Sequence, residues 1–375
     1  MSQDFEIRNE LTWKVLAATG IDILETRRNE STARSALRKS ASCVYMFVCG
    51  LSFLYSVMLL MKFGAISTKL IKSNVVSLIN ILLSFMLWIV IYKRKFIIHQ
   101  TLVKLHSISV TLFHAKLPVF KHVKFIIFSI WLSLPVYCLI AIIVVWRTNN
   151  DYLYLWTLDS KMDLNFLGVV VLLFCPTLFY LPVITFPSFI NMVLCMLYRN
   201  CSCLLSQYAA KLRLFKPGSL DIQFVAAYST LIKITEEVND VVSTPAFLCT
   251  AIFFSQMLTS LAWTFLTSGK RSAAHNLEIA YASTMSVLSA VSLPLAASTI
   301  TIEARKIKLK LERLYENSLM DPAVNVQDIK IMQNAARKKN IEMSACHVLY
   351  FNRGYALALF GALFTYGLLF ININA

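Results

Sequence analysis

Charge, and acidic charge above all, is what this chain of 375 residues has little of. Only 15% of its residues are charged, and 20 Asp and Glu stand against 36 Lys and Arg. Soluble domains carry nearer a quarter, so a soluble fold is excluded. The 57% hydrophobic content and mean hydropathy of +0.63 place the chain in a membrane instead. Glycine is scarce at 9 residues, and no Gly-rich phosphate loop or nucleophile elbow occurs. The cysteines (Cys43, Cys49, Cys138, Cys175, Cys195, Cys201, Cys203, Cys249 and Cys346) include no Cys-x-x-Cys pair, which argues against structural zinc. None falls in a segment read below as external, so no disulfide framework follows. His99, His106, His114 and His122 are spaced seven, eight and eight, drift around a helix, and read as a solvated face rather than a metal site. No paired carboxylates lie inside apolar runs. Together these absences argue against an enzyme, a cofactor and a metal, and leave a transporter without an intramembrane acid for ion coupling. No basic run is interleaved with a nucleic-acid module, so the net charge of +16 is not read as nucleic-acid binding.

What is present is a series of long apolar runs. Seven spans are expected, at about 42–61, 75–92, 125–146, 165–197, 245–268, 279–300 and 350–371. The fourth window is too long for one straight crossing and holds Pro176, Pro182 and Pro187. It reads as one long kinked helix, with a broken pair as the alternative. Lys and Arg set the orientation. With the N-terminus inside, the cytoplasmic segments hold 28 of them and the external loops 7. Segment 93–124 alone has seven bases and no acid. The fold class is therefore an all-α membrane protein with seven transmembrane helices, a cytoplasmic N-terminus, an extracellular C-terminus and cytoplasmic helical extensions. Its parts are an N-terminal segment 1–41, spans one to six in 42–300 with cytoplasmic loops 93–124 and 198–244, anchor helices in 301–349, and a last helix in 350–375. Within 1–41, Leu11 to Leu24 reads as a short amphipathic helix. Residues 302–314 should present Ile302, Leu309 and Leu314 as an apolar stripe, and Tyr228 to Val242 should present Leu231, Ile232, Ile234 and Val238. Cys201 and Cys203, just past a span, read as free thiols, with palmitoylation the alternative.

The last helix carries two stripes. Gly354, Ala358, Gly361, Thr365, Leu368 and Asn372 are small or weakly polar; Leu357, Phe360, Phe364 and Ile371 are bulky. A small face admits a second backbone or lines a watery space, and the pattern leaves packing and pore-lining open. Here the sequence resembles the insect gustatory receptor family. Thr365-Tyr366, five mostly apolar residues and Asn372-Ile373 are similar to that family's closing signature of Thr-Tyr, five hydrophobic residues and Gln-Phe. Asn372 and Ile373 depart from it. Phe351-Asn352-Arg353 resembles the run that precedes the signature, Leu16 to Gly20 an N-terminal helix ending in Gly, and Tyr228 to Asn239 a lead-in to the fifth span.

The resemblance implies a ligand-gated non-selective cation channel for taste, a homotetramer or a heteromer with related subunits, in the plasma membrane of sensory neurons. It places the pore and gate at Thr365, Tyr366, Leu369, Asn372 and Ile373. A ring of Ile would resist ions when narrow, and Asn would solvate them once the helices part. From the residues themselves, the helix C-terminus and the carboxylate of Ala375 would favour cations, a frayed terminus with no role being the alternative. Arg353, at the cytoplasmic rim, is expected to pair with Glu342 or an acid of 236–240, or to meet lipid headgroups. A small-molecule tastant would sit in the outer half of the bundle. There the candidates are Tyr137, Trp146, Phe179, Tyr180, Gln256, Trp263, Tyr281 and Thr284, with Asn80 and Ser286 beside them and Glu278 at the rim. This mostly apolar and aromatic set suits an apolar or aromatic tastant better than a sugar. A multi-pass transporter and a non-conducting structural or assembly member of the same family are the alternatives.

Overall fold

The computed structural model describes residues 32–64, 68–113, 123–148, 166–214, 222–266, 273–320, 325–338 and 341–374, together with Ala17 and Ile21. The amphipathic reading of Leu11 to Leu24, His114, His122 and the Ala375 carboxylate lie outside them. So do the side chains of Arg353, Leu369, Asn372 and Ile373, although their backbone is described. The chain is a bundle of long helices. They are α1 (Thr32–Gly64), α2 (Thr68–Phe113), α3 (Val123–Thr148), α4 (Phe166–Tyr180), α5 (Phe186–Leu214), α6 (Ile222–Leu266), α7 (Ala273–Leu319), α8 (Val326–Ala336) and α9 (Arg353–Asn374). Six segments are long and apolar enough to cross a membrane: Ser40–Met61, Val75–Phe113, Lys124–Arg147, Gly168–Arg213, Ala227–Thr264 and Ala273–Leu319. The 22-residue α9 adds a shorter apolar helix.

The fourth window resolves as one continuous rod. Leu181–Thr185 forms a π-helical turn joining α4 to α5, and the Phe186 amide donates to the Leu181 carbonyl five residues back. Proline chemistry explains what surrounds it. Pro182 has no N–H for the Leu178 carbonyl, and Ser52 Oγ of α1 lies 2.6 Å from that oxygen. In the five-residue register the Pro182 carbonyl faces Pro187, which also lacks a donor; the Ser84 hydroxyl of α2 supplies the missing bond. Pro245 in α6 likewise frees the Val241 carbonyl. Arg94 Nη1 donates to it at 2.9 Å and to the Asp240 carbonyl at 2.9 Å. At these three prolines the break in the helix ladder is closed by a neighbouring helix, which ties α1 and α2 to the α4–α5 rod and α2 to α6.

Two corrections concern the segments expected to extend into the cytoplasm. His99 and His106 are buried against the bundle rather than solvated, because α2 packs along α6 well beyond the apolar window. On α7, the buried line past residue 302 is Ala304, Ile307, Leu311 and Leu314, while Leu309 is exposed. The stripe on α6 is as expected, with Leu231, Ile232, Ile234 and Val238 all buried. Cys201 is buried and its thiol lies 3.3 Å from Thr235 Oγ1, so it offers no acylation site. All nine cysteines are free.

Between α8 and α9 lies the one β element among the described residues, which qualifies the all-α expectation. Ser344–Ala345 pairs antiparallel with Leu349–Tyr350. Cys346 and His347 both adopt left-handed backbone, with φ of 53° and 57°, a conformation costly for side chains with a Cβ. The Val348 amide closes the turn on the Ala345 carbonyl at 3.1 Å, and the Phe351 amide meets the Met343 carbonyl at 2.9 Å.

Candidate functional site

Two constellations emerge, an aromatic–acidic cluster between helices and the terminal helix with its hairpin.

The cluster is built on three tyrosines from three helices. Tyr137 (α3) stacks on Tyr281 (α7) with centroids 4.7 Å apart and an interplanar angle of 15°. Tyr180, the last residue of α4, meets both edge-on at 5.7 Å, and Phe179 meets Tyr180 edge-on at 5.1 Å. These are favoured aromatic geometries. Ile81 of α2 and Ala282 and Tyr55 of α7 and α1 pack into the same cluster. The polar tips converge differently from expectation. Glu278, expected at the rim, is tied to the cluster: the Tyr180 hydroxyl donates to its Oε1. His275 Nδ1 lies 3.6 Å from its other oxygen, and Trp263 packs edge-on to the His275 ring at 5.0 Å. Ser133 Oγ lies 3.4 Å from the Tyr281 hydroxyl. The legible signal was the spacing His275, Glu278, Tyr281, which puts all three on one face of α7.

Polar capacity is also left unspent on the same helices and on α2 and α1. Asn80 is fully buried, and neither its amide nitrogen nor its oxygen has a protein partner among the described residues. Ser56 on α1 and Ser286 on α7 are buried with unpartnered hydroxyls as well. Such groups are rare in protein interiors and costly there. Of the remaining sequence candidates, Trp146 is 74% exposed, Thr284 is exposed and Gln256 is buried on α6.

The terminal helix is held by a small polar lock. Asn239 of α6 is buried and accepts from the Ser344 amide at 2.9 Å, while its Nδ2 lies 3.5 Å from Ser344 Oγ. One turn on, Ser243 Oγ accepts from the Cys346 amide at 2.6 Å. Phe351 is buried and packs edge-on to Tyr355 at 5.5 Å. The hairpin thus anchors the start of α9 to α6.

Beyond this anchor α9 buries a narrow line, Leu359 and Leu363, each 6% exposed. The described residues of both stripes face outward, as far as Leu368. Leu357 is 77% and Phe364 70% exposed, and Gly354, Ala358, Gly361, Thr365 and Leu368 are exposed too. Tyr366 is exposed, and the Thr365 hydroxyl donates to the Gly361 carbonyl at 2.9 Å. Among the described residues of α9, therefore, both faces go uncovered within one chain.

No family profile and no curated protein sequence matches the chain. Solved structures do. The insect olfactory receptor OR5 from Machilis hrabei superposes with a TM-score of 0.67 at 14% identity, covering 99% of this chain and 98% of that one. The same receptor in complex with eugenol gives 0.63 at 13% identity, covering 97% of each. The chain shares the fold of these receptors over essentially its whole length.

Proposed function

We propose that this chain is a subunit of an insect chemoreceptor-type, ligand-gated, non-selective cation channel of the gustatory kind. It assembles as a tetramer, alone or with related subunits, in the plasma membrane of sensory neurons. The observation that carries the reading is the uncovered terminal helix. A lone apolar helix with one small face and one bulky face, both exposed, and a locked cytoplasmic start is suited to pack against its own copies around a central passage. In that arrangement Thr365, Tyr366, Leu369, Asn372 and Ile373 line the outer end, and parting of the helices opens it.

The tyrosine cluster is the proposed ligand site. Three rings supply flat apolar walls, while Glu278 and the unpaired Asn80 amide offer hydrogen bonds to a polar substituent. An aromatic molecule bearing a hydroxyl or amine fits this chemistry. Eugenol, the ligand in one of the matched receptor structures, is a rational first probe. Aromatic panels applied to cells expressing the chain, with current recording, test the reading. Ligand-evoked unitary cation currents support it. Saturable uptake without unitary currents indicates a transporter, and neither response indicates a structural member.

A further inference from the structure

The cytoplasmic ends of α5 and α7 run side by side and enclose a cleft of about 210 Å³ lined by Ala209, Arg213, Lys306, Ile307, Leu309, Lys310 and Arg313. Four of the seven lining residues are cations and none is an acid. On α7 the spacing of Lys306, Lys310 and Arg313 is four and three, which aligns them on one face; Arg213 faces them from α5. Only Lys306 is offset by a carboxylate, Glu303 at 2.6 Å. Among the described residues no salt bridge neutralises Arg213, Lys310 or Arg313. Gathering these charges around a void costs repulsion that an anionic occupant would remove. A second cavity, of about 310 Å³, lies on the same extension and serves as a contrast. Its lining of Tyr228, Thr301, Ala304, Arg305, Lys308, Ile341 and Glu342 includes an acid.

We propose that the α5–α7 cleft binds a multiply phosphorylated polar group. Guanidinium forks and ammonium groups are the standard partners of phosphate oxygens, and three uncompensated cations match the charge of a bis- or trisphosphate rather than a single phosphate. The source is either an inositol phospholipid headgroup or a soluble polyphosphate. Lys306 lies six residues beyond the apolar window ending near Ile300, about 9 Å along the helix, within reach of a headgroup; Arg313 lies deeper in the cytoplasm. Occupancy would brace α5 against α7 below the membrane. The proposal stands whether or not the channel conducts.

The test uses the purified full-length protein in phosphatidylcholine nanodiscs, titrated with inositol trisphosphate by calorimetry. A parallel set of nanodiscs carries phosphatidylinositol bisphosphate, scored by the melting temperature. Binding or stabilisation by at least one probe is expected. It should weaken at least tenfold in the Lys310→Gln/Arg313→Gln pair and several-fold in Arg213→Gln, on the opposite wall. The charge-keeping pair Lys310→Arg/Arg313→Lys should recover it, and Arg305→Gln/Lys308→Gln in the neighbouring cavity should leave it within twofold. A response to the soluble probe alone assigns a free polyphosphate; a response to the lipid alone assigns a headgroup. No response to either probe overturns the proposal, as does an equal loss in the control pair.

Discussion

Replacing Asn239 with Ala tests whether the hairpin before α9 is a lock or a passive linker. The side chain accepts the buried Ser344 amide at 2.9 Å and reaches Ser344 Oγ at 3.5 Å. Ala leaves that amide unsatisfied in a site without water access, a cost of about 1–3 kcal/mol. Ser243→Ala removes the acceptor of the Cys346 amide, held at 2.6 Å in a half-buried site, at a cost nearer the lower end of that range. The two bonds secure one turn whose residues already carry left-handed strain at Cys346 and His347. Once one bond is lost, the strained turn relaxes and the second bond weakens with it. The double variant should therefore lose less than the sum of the singles, a coupling of about 0.5 kcal/mol or more. Thermal unfolding of the purified protein, monitored by monodispersity on gel filtration, reads this as a melting temperature lowered by a few degrees in each single variant. Thr259→Ala, which removes only a bond to its own helix at Ser255, should move it by under a degree. Strictly additive losses, or losses no greater than that of Thr259→Ala, would refute the lock.

Other perturbations separate buried from exposed chemistry. Glu278→Gln removes the charge that accepts from Tyr180; the half-maximal concentration of an aromatic agonist carrying a hydrogen-bond donor should rise by about ten- to a hundredfold, as a lost charge-assisted bond of about 1.5–3 kcal/mol implies, while a purely apolar agonist shifts little in the same dose–response assay. Ser84→Ala strips the donor from the Pro182 carbonyl, which the π turn and Pro187 leave with no other. The expected loss is about 1–3 kcal/mol in thermal unfolding, and Ser84→Thr should retain most of the wild-type stability. Lys104→Ala breaks the 2.6 Å pair with Glu237, but the lysine is 58% exposed; melting should change by no more than the scatter of the measurement, since exposed pairs contribute about 0–1 kcal/mol.

The membrane class and the positions of the long helices were legible because twenty-residue apolar runs have few other uses. The irregularity in 165–197 was legible from its prolines, but not its form: the π turn is accompanied by donors from Ser52 and Ser84, 126 and 98 residues away. The hairpin at 344–350 escaped notice because Cys346 and His347 occupy turn positions where Gly or Asn is the usual signal. Periodicity failed on α9 for a different reason. A helix apolar all round has no phase, so the buried line Leu359–Leu363 could not be picked out from its neighbours. The bond between Glu278 and Tyr180 was not legible because the two are brought together by tertiary packing alone. His99 and His106 were misread as solvated because a basic segment looks wet until a neighbouring helix is seen to cover it.

The central claim is that the outer end of α9 borders a passage shared between copies of this chain. Single cysteines placed from Thr365 to Ile373 in a background with reactive native thiols replaced, exposed from outside to a charged thiol reagent during current recording, test it most directly. The account predicts ligand-dependent modification and block along the small-residue face, with block at Thr365 and Asn372 and little at Phe364 and Ile371. Equal inertness at every position, with and without agonist, would contradict it.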